Sequence, residues 1–433
     1  MSSYRLQVTT RSPLVLADRH AARQGVTSSF DYIPGTVLRG AMAAALLRLG
    51  HTATSTLFQG LFESGKVHFG NLYPIKEMAD DNTAFAATAW PVPVTAWSCK
   101  LHPGFRIPAD ASSAHGVVET LGDQLTGEAW GSTFDVCGQD GCSGRLEPFS
   151  GYYEPKHDGD YFVEPQVTKR LITRTALSDR SGRARDGSLF TVEAIEEDHV
   201  FVGFLHITDP NLEGLHDQLR NLLDQEPAMR LRLGLGRSRG YGEIDLHIGY
   251  EACDSYLGLH LPLEDRWRDD ALDAKLHASA DSTNPIASAV ALSANRFTFV
   301  ITLYADAILL DDYGRYCTAL DQAAWDRILR LAGPAPTGVT WPQSVRYLWG
   351  STGVRRVRSW RFAPGRRMPT AEELAVRRGS VFVFSAAESE RDAVFALLQR
   401  LEDMGIGRRR DEGFGRIIVG RNWQQGENDV EPR

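Results

Sequence analysis

Apolar and polar residues alternate along Tyr4–Thr9, which is typical of a strand with one buried face. Residues 37–49 are instead rich in alanine and leucine, follow a Pro-Gly turn and end at Gly50, so they predict a helix with Thr36 as its N-cap. A polar loop-like stretch, 18–31, lies between them. The later stretches of this half alternate between strand-like and helix-like patterns: strands 67–72, 189–195 and 200–207, helix 211–231, and strand 244–248. The order is β-α-β-β-α-β, which is that of a ferredoxin-like fold.

The same kinds of pattern return in the second half of the chain. Residues 296–305 alternate and are β-branched, so they predict a strand; helix 319–331, strand 380–384, helix 388–403 and strand 417–419 follow. We therefore predict an α+β protein with a first domain at 1–250 and a second at 296–433. An insertion at about 90–165 interrupts the first domain, and a connector spans 251–295.

Composition narrows the class of protein. The 433 residues are 42% hydrophobic and 24% charged, as in a globular protein with a sizeable core. The net charge of −8 argues against a protein that binds nucleic acid over its whole surface, although local patches can still be basic. No apolar run is long enough to span a membrane, and the N-terminus lacks the pattern of a signal peptide, so we expect a cytoplasmic location. Five cysteines in a long chain do not indicate a disulfide scaffold.

Two glycine-rich stretches follow predicted helices and precede predicted strands. Each reads G-x-G-R-x-R, then no spacer or a short one, then glycine, an aromatic residue and glycine. Glycine lets the backbone adopt positive φ angles and lie close to a ligand, and exposed N–H groups in such a loop accept anionic oxygens. The candidate residues are Gly234, Gly236, Arg237, Arg239, Gly240 and Tyr241 in the first loop, and Gly405, Gly407, Arg408, Arg409, Arg410, Gly413 and Phe414 in the second.

The side chains of both loops suit a polyphosphate chain such as RNA. Arginine forks bind phosphate, and Tyr241 and Phe414 offer faces on which a base could stack. A dinucleotide-binding motif would follow a strand and open a helix, and a Walker loop would end in G-K-[ST]; neither loop does so. The alternative is a flexible turn that happens to be basic.

Further cations lie elsewhere in the first half. Arg39 falls in the first turn of the predicted helix, where a cation opposes the helix dipole, so an anionic partner is plausible. Residues 165–190 hold six cations and two carboxylates. We expect this segment to form an exposed loop that reaches over a bound strand, with Arg174 and Arg180 as RNA contacts. A solvated arginine and a solvated surface hairpin are the alternatives.

The insertion carries two ligand-like pairs, Cys99-x2-His102 and Cys137-x4-Cys142. Structural zinc takes four nitrogen or sulfur ligands in a tetrahedron, and an insertion with little core of its own would gain order from it. We predict a structural zinc held by these four residues, with His115 as a rival fourth ligand. Cysteines in a glycine-rich loop also occur without metal.

The chain resembles the RAMP superfamily of CRISPR effector proteins. Residues 33–40, Ile-Pro-Gly-Thr-Val-Leu-Arg-Gly, look like the family's helix start, and Asp179-Arg180 with 186–190 and the two glycine loops complete the resemblance. The resemblance implies two ferredoxin-like RAMP domains that bind crRNA and pack against other effector subunits in antiviral defence. A Cys-containing insertion looks most like the Csx-type subunit of type III-D complexes, which would hold the 5′ handle of the guide. Residues 174–186 resemble the family's hairpin "thumb".

Some members of this family cut RNA with an aspartate in the loop after the first strand. Asp18 is the candidate here, with His20 nearby, but one aspartate does not establish a nuclease. We expect a non-catalytic RNA-binding subunit, and the alternative is an endoribonuclease that cuts target or precursor RNA with Asp18. An unrelated small-molecule or nucleotide enzyme is disfavoured by the helix-loop-strand order.

Overall fold

The computed structural model describes most of the chain. The described residues are 2–23, 26–76, 88–107, 114–126, 137–156, 161–177, 184–212, 214–225, 231–249, 263, 267, 270–278, 295–358, 360–363, 366–369 and 371–420. They form two compact units: the first comprises 1–89, 165–258 and 411–413, and the second comprises 90–164, 259–410 and 414–433.

Short strands dominate, and helices separate some of them. The strands are β1 Ser2–Thr10, β2 Ala17–Arg23, β3 Val26–Ser29, β4 Val67–Phe69, β5 Tyr73–Ile75, β6 Trp90–Pro91, β7 Ala96–Cys99, β8 Val117–Glu119, β9 Leu146–Pro148, β10 Tyr152–Lys156, β11 Tyr161–Val163, β12 Lys169–Leu177, β13 Ala184–Ile195, β14 Val200–Ile207, β15 Leu231–Arg232, β16 Glu243–Ile248, β17 Arg296–Leu303, β18 Arg346–Ser351, β19 Val354–Val357, β20 Trp360–Ala363, β21 Arg366–Pro369, β22 Glu373–Val376, β23 Val381–Ala387 and β24 Ile417–Val419. The α-helices are α1 Gly35–Arg48, α2 Thr56–Phe62, α3 Leu121–Thr126, α4 Gly214–Gln225, α5 Asp270–Ala278, α6 Gln322–Leu331 and α7 Arg391–Met404.

The main sheet of each unit has the ferredoxin-like strand order. In the first unit the order is β15-β16-β1-β14-β4, with β5 also paired to β14, and every pair is antiparallel. In the second unit the order is β18-β23-β17-β24, again antiparallel. In both, the first strand lies between the last and the third, as β-α-β-β-α-β connectivity requires. The predicted mixed α+β, ferredoxin-like fold is confirmed.

Each main sheet buries one face against its helices. Leu6 and Val8 of β1 belong to a core that also contains Leu38 and Met42 of α1. The corresponding core of the second unit is rich in aromatic residues, with Phe299 of β17, Trp325 of α6 and Phe384 of β23 in mutual ring contact. Side chains of this size each contribute about 1.5–3 kcal/mol when fully buried. The alternation read from the sequence therefore identifies which face of β1 and of β17 is internal.

Several sequence predictions differ from the structure in detail. The first long helix begins at Gly35, its N-cap is Pro34 without a side-chain cap bond, and Thr36 lies inside the first turn. The Gly35 N–H instead donates to Asn71 Oδ1 at 2.9 Å. A Cβ at Gly35 would lie 2.0 Å from the Phe69 carbonyl oxygen, so only glycine lets the helix start this close to β4.

Other differences concern strands that the pattern did not show. Residues 18–31 look like a polar loop but contain β2 and β3, which extend the sheet β12-β13-β3-β2. Strand β18, the second strand of the second ferredoxin-like unit, also lacks a clear alternating pattern and is only partly buried. Residues 165–190 contain the paired strands β12 and β13, a hairpin rather than an open loop.

The predicted insertion forms small sheets of its own, β8-β7-β9 and β11-β10-β6. Its residues 90–164 are grouped with the second unit. The predicted connector, 251–295, lies mostly outside the described residues, apart from α5 and single positions. Among the described helices, none has both the length and the apolarity needed to cross a membrane.

Candidate nucleic-acid interface and metal centre

The first glycine loop, Leu233–Gly242, is closed by a hydrogen bond between its ends. The Leu233 N–H donates to the Gly242 carbonyl at 2.8 Å. Gly242 has φ 77°, and a Cβ there would lie 1.9 Å from the Leu233 carbonyl oxygen. Gly234 has φ 72°, and its Cβ would lie 2.1 Å from the carbonyl of Val15, which accepts from the Leu235 N–H at 2.9 Å. Glycine at 234 and 242 is therefore required by packing alone.

The second glycine loop repeats these contacts. The Ile406 N–H donates to the Gly415 carbonyl at 2.8 Å, and a Cβ at Gly415 would lie 1.8 Å from the Ile406 carbonyl oxygen. The Arg408 N–H donates to the Ile308 carbonyl at 3.0 Å, and a Cβ at Gly407 would lie 2.4 Å from that oxygen. Ile406–Gly415 thus corresponds to Leu233–Gly242, residue by residue and without a spacer.

This correspondence changes the register in which the two sequences align. The motif G-x-G-R-x-R pairs Gly234 with Gly405, whereas the backbone contacts pair Gly234 with Gly407. Gly405 instead ends α7, with φ 72° and its N–H donating to the Leu401 carbonyl at 2.8 Å. The two loops differ in residue type at position 409. Arg409 has a φ of 57°, whereas the corresponding residue of the first loop, Gly236, has a φ of 72°.

Half of the backbone N–H groups of the first loop donate within the chain, so they do not contribute to the predicted cradle of exposed N–H groups. Five of its N–H groups donate to carbonyls of the chain: those of Leu233, Leu235, Arg239, Tyr241 and Gly242. Its outer positions are instead presented to solvent: Ser238, Arg239 and Gly240 are exposed, and Arg237 is half-buried. Arg239 forms no ion pair with a carboxylate in the described part of the chain. What the tip of this loop presents to solvent is therefore chiefly the cationic side chain of Arg239.

Tyr241 is not an open stacking platform. Its side chain is 8% exposed. The Arg174 guanidinium lies 4.7 Å from the centre of the ring, and Arg174 Nη2 donates to the Tyr241 hydroxyl. A Cβ at Gly236 would lie 2.5 Å from Tyr241 Cδ2, so the loop backbone packs against the ring as well. Because Arg174 belongs to β12, this contact joins the hairpin to the glycine loop. Arg180, the other predicted hairpin contact, lies outside the described residues.

The arginines of the second loop are held by a carboxylate of the same unit. Arg409 Nη1 lies 2.8 Å from Glu373 Oε2, and Arg408 Nη1 lies 3.4 Å from Glu373 Oε1. The Arg409 guanidinium also covers the Phe414 ring, 4.9 Å from its centre. Arg410 Nη1 donates to the Gly405 carbonyl at 3.5 Å. Glu373 is 8% exposed and the Arg409 side chain 13%, so this pair is largely removed from water, whereas the Arg408 side chain is 54% exposed.

Arg39 lies in the first turn of α1 and is also engaged within the first unit. Its Nη2 donates to the Phe62 carbonyl and lies 3.4 Å from Asp411 Oδ2. The guanidinium is 5.8 Å from the centre of the Phe62 ring. The anionic partner expected from its place in the helix is therefore a carboxylate of the chain.

The second face of each main sheet is buried on its central strands. In the first unit Arg5, Phe204 and His206 are at most 2% exposed. In the second unit Val300, Val381 and Val383 pack against leucines of α3 and α5. On the central strands this face is therefore not open to single-stranded RNA as the sheet of an RRM domain is, whereas Asp245 and His247 of β16 are exposed. The loops and the β12–β13 hairpin remain as surfaces for RNA.

The profile of the RAMP superfamily matches residues 7–245, which is more than half of the chain. The chain belongs to the RAMP superfamily. The match covers the first ferredoxin-like unit, its β12–β13 hairpin and the first glycine loop. A comparison with curated proteins gives no match.

This RAMP protein is also similar to chains in solved structures. One is from a type III-B Cmr-β complex in its apo state, with 11% identity and a TM-score of 0.29 over 57% of this chain and 97% of that chain. Another is from a type IV-B CRISPR complex, with 14% identity and a TM-score of 0.25 over 59% and 93%. A third is oligomeric Cmr4 from Pyrococcus furiosus, with 11% identity and a TM-score of 0.25 over 57% and 98%. These TM-scores are too low to support any conclusion about this chain.

The insertion of this RAMP protein brings together three cysteines and one histidine. The ligating atoms of Cys99, His115, Cys137 and Cys142 all lie within 4.8 Å of one another. Cys99 Sγ is 3.8 Å from Cys142 Sγ, and His115 Nδ1 is 3.0 Å from Cys137 Sγ. The fourth member of the group is therefore His115, the rival ligand, rather than His102. The His102 ring lies beside that of His115, 4.3 Å between centres and tilted by 32°.

The donor set and its surroundings fit a tetrahedral metal ion. Zinc–sulfur bonds of about 2.3 Å in a tetrahedron place two sulfurs about 3.8 Å apart. A Cβ at Gly144 would lie 2.7 Å from Cys99 Sγ, so glycine there leaves room for the cluster, and the Gly144 N–H donates to Cys142 Sγ at 3.3 Å. Turn glycines at 138 and 141, with φ 70° and 79°, bring Cys137 and Cys142 to the same side.

Local hydrogen bonds and burial act on the thiols in different directions. Burial raises the pKa of Cys137 to about 11. Burial acts in the same direction on Cys99, but backbone hydrogen bonds at His102 and Leu101 outweigh it and lower its pKa. Burial, together with the nearby charges of His102 and Arg106, lowers the pKa of His115, which favours the neutral imidazole that a metal ligand requires.

Asp18, the nuclease candidate, lies in β2, where it pairs with Ser28 of β3. It is therefore in a strand rather than in the open loop expected from the sequence. Its side chain lies outside what the structure describes, and a catalytic role for Asp18 stays a prediction.

Proposed function

We propose that this protein is a crRNA-binding subunit of a type III CRISPR ribonucleoprotein that works in antiviral defence together with other effector subunits. Membership of the RAMP superfamily supports this role. The observation that carries it is the exposed cationic tip of the first glycine loop, Arg237–Gly240, fixed on a backbone that only glycine allows. Arg237 and Arg239 contact the sugar-phosphate strand in this proposal, and Arg174 joins the β12–β13 hairpin to the same surface.

The finer assignment follows the sequence resemblance. We propose the type III-D Csx type, with the 5′ handle of the guide as the segment bound. In this role the protein holds and orders RNA, and no step of bond cleavage is assigned to it. In the assembled complex, Asp18→Ala is then expected to leave every cut in a target RNA intact. Loss of one cut in that variant would support the endoribonuclease alternative.

Purification from native cells tests the RNA-binding role. We expect RNA of defined length to copurify with the full chain and to share one 5′ sequence. Exchanging Arg237 and Arg239 together for glutamine removes two phosphate-binding forks, so RNA affinity is expected to fall about 10-fold or more, and the slope of log K against log salt by about 1 to 2.

The matched control for this double variant is Arg48→Gln, which removes one exposed cation at the end of α1. It is expected to retain the affinity and nearly all of the salt slope of the unmodified protein. Equal losses of RNA affinity in the control and the double variant would mean that net charge, and not these two arginines in particular, determines binding. Absence of any copurifying RNA would overturn the proposed function.

We also propose that Cys99, His115, Cys137 and Cys142 hold a structural zinc ion. Such an ion would supply folding energy to the insertion and no catalysis, because all four positions of the tetrahedron are taken by protein ligands. Zinc analysis of the purified protein is expected to give one equivalent, and Cys142→Ser and His115→Ala are expected to lose it. His102→Ala and Cys317→Ser serve as controls and should keep the metal. Metal loss in His102→Ala with retention in His115→Ala would reverse the ligand assignment.

A further inference from the structure

The second unit contains a cavity that none of the roles above uses. It has a volume of about 120 Å³ and lies between α6, α7 and the start of the second glycine loop. A water-sized site needs only about 10–15 Å³ on this measure, so the cavity admits a group of several heavy atoms. Aliphatic side chains form most of its wall, including Ile308, Leu309, Ile328, Leu401, Met404 and Ile406.

Four arginines complete the wall: Arg327, Arg400, Arg408 and Arg410. None of the residues that line the cavity carries a carboxylate. Arg400 is oriented by a hydrogen bond from its Nε to the Ala332 carbonyl at 2.5 Å, and it forms no ion pair with any carboxylate that the structure describes. The Arg327 Nη1 donates to the Asp311 carbonyl at 2.7 Å and also lies 3.7 Å from Asp312 Oδ1. Arg408 pairs with Glu373 at 3.4 Å, so both of these arginines already have a carboxylate partner outside the cavity wall. Each guanidinium has five N–H donors, so these bonds use only part of its capacity.

An apolar space with this charge selects an amphipathic anion. A phosphate monoester carries about −1.5 to −2 at neutral pH and several acceptor oxygens, whereas a carboxylate carries −1. Arginine forks also bind phosphate oxygens in pairs and can stack on a planar base. The planar forks of these arginines, with Arg400 as the main source of uncompensated charge, therefore suit a phosphate better than the acidic side chain of a protein partner.

We propose that this cavity binds one nucleoside 5′-monophosphate unit, with the base between the aliphatic side chains and the phosphate on the arginines. The unit can be a free nucleotide or a residue of a bound RNA. The RNA source rests on the proposed function, because the cavity adjoins the second glycine loop at Gly405–Arg410. The free-nucleotide source does not depend on that function.

Calorimetric titration of the full chain, freed of RNA by nuclease treatment and high salt, tests the site. The probes are AMP, GMP, CMP and UMP, the corresponding nucleosides, and inorganic phosphate. At least one nucleotide is expected to bind at least 10-fold more tightly than its nucleoside and than phosphate alone, because both halves of the ligand contribute. If phosphate binds as tightly as every nucleotide, the cavity is only an anion site and the proposal fails.

Variants localise the binding. Arg400→Gln is expected to weaken nucleotide affinity about 10-fold, which corresponds to about 1.4 kcal/mol. Met404→Ala removes part of the apolar wall and is expected to weaken nucleotide and nucleoside but not phosphate. The matched control is Arg391→Gln, which removes the same charge from the other end of α7, outside the cavity wall. Unfolding midpoints measured for each variant confirm that the fold is retained. Equal nucleotide affinity in Arg400→Gln and Arg391→Gln would overturn the proposal.

Binding of a 5′-monophosphorylated RNA oligomer shows whether the cavity takes a free nucleotide or a residue of RNA. Tighter binding of the oligomer than of the mononucleotide, lost in Arg400→Gln, assigns the site to RNA; equal binding assigns it to free nucleotide. An acidic, aliphatic peptide that binds in an Arg400-dependent way while all nucleotides fail would show a protein-docking site instead. If guide RNA copurifies but mononucleotides do not bind, only this inference fails. If mononucleotides bind but no RNA copurifies, only the proposed function fails.

Discussion

The two glycine loops of this protein share a backbone and differ in what their side chains do. Both are closed by the same end-to-end hydrogen bond, between Leu233 and Gly242 in one and between Ile406 and Gly415 in the other. Both present an aromatic ring covered by a guanidinium. In the first loop that guanidinium comes from the hairpin, 67 residues away in sequence, and Arg239 at the tip is exposed.

The second loop uses its own arginine for the same purpose. Arg409 covers Phe414 and binds the buried Glu373, so its charge stabilises the unit. A loop motif that fits RNA by its residue types can therefore leave an arginine exposed at its tip in one copy and bind its arginines to a carboxylate of the same unit in the other. One carboxylate, Glu373, makes the difference for the second loop, whereas Arg239 of the first loop forms no ion pair among the described residues.

The largest expected effect tests whether the two backbones are truly equivalent. Gly242→Ala and Gly415→Ala each place a Cβ within 2 Å of a carbonyl oxygen at φ above 70°, so each is expected to cost about 3 kcal/mol or more of unfolding free energy. Gly240→Ala is the control, since its Cβ would meet nothing within 4 Å and only the backbone strain of about 1–2 kcal/mol applies. Denaturant unfolding measures all three. A tolerated alanine at 415 but not at 242 would refute the equivalence.

A smaller loss of stability is expected when the ion pair between Arg409 and Glu373 is removed. Arg409→Gln leaves Glu373 buried with only the partly exposed Arg408 as a cationic partner, which is expected to cost about 2–3 kcal/mol of stability. Arg356→Gln is the control, because Arg356 pairs with Glu372 at 3.6 Å on an exposed surface, where such pairs contribute below about 1 kcal/mol. Thermal unfolding of both variants decides the point. Matching midpoints would mean that Arg409 is as dispensable as a surface arginine.

The smallest expected effect comes from removing the Arg174 guanidinium, which covers the Tyr241 ring. Arg174→Gln removes a cation–π contact and a hydrogen bond to Tyr241, which together contribute about 1–2 kcal/mol. It should also weaken RNA binding, because it uncouples the hairpin from the loop. Arg170→Gln, on the same strand and paired with Glu197 at 2.9 Å, is the control for charge. Equal unfolding midpoints and equal RNA affinities for the two variants would remove Arg174 from the interface.

The order of strands and helices could be predicted from the sequence because burial of one face of a strand or helix makes apolar residues recur at a fixed spacing. Tyr4–Thr9 and Arg296–Ala305 alternate as half-buried strands do, and both are the first strands of ferredoxin-like sheets. Strands β2 and β18 lacked that signal: β2 joins a side sheet, and β18 is only partly buried, so neither needed alternating apolar residues. The N-cap at Thr36 failed because a distant side chain, Asn71, satisfies the helix start.

For the candidate sites, the sequence predicted which residue types take part but not which side chains contact one another. Cys99, Cys137 and Cys142 were identified as a group, and the structure brings them together. The choice between His102 and His115 depended on the path of β7 and β8 across the insertion, which spacing alone does not specify. Glu373, the partner of Arg408 and Arg409, gave no signal, since a single glutamate at the start of a short strand resembles a solvated residue.

The sequence by itself determined the connectivity of the first ferredoxin-like unit, that of the second apart from β18, the place of the two glycine loops and the three cysteines that cluster. These follow from local causes: the periodicity of burial, and the freedom that glycine alone has at positive φ. Only the tertiary structure decided which charged and aromatic side chains remain available to a ligand. Arg409 is neutralised by Glu373, 36 residues away, and Tyr241 is covered by Arg174, 67 residues away. Charge–charge and cation–π contacts act through space over a few ångströms, and sequence separation does not reveal them.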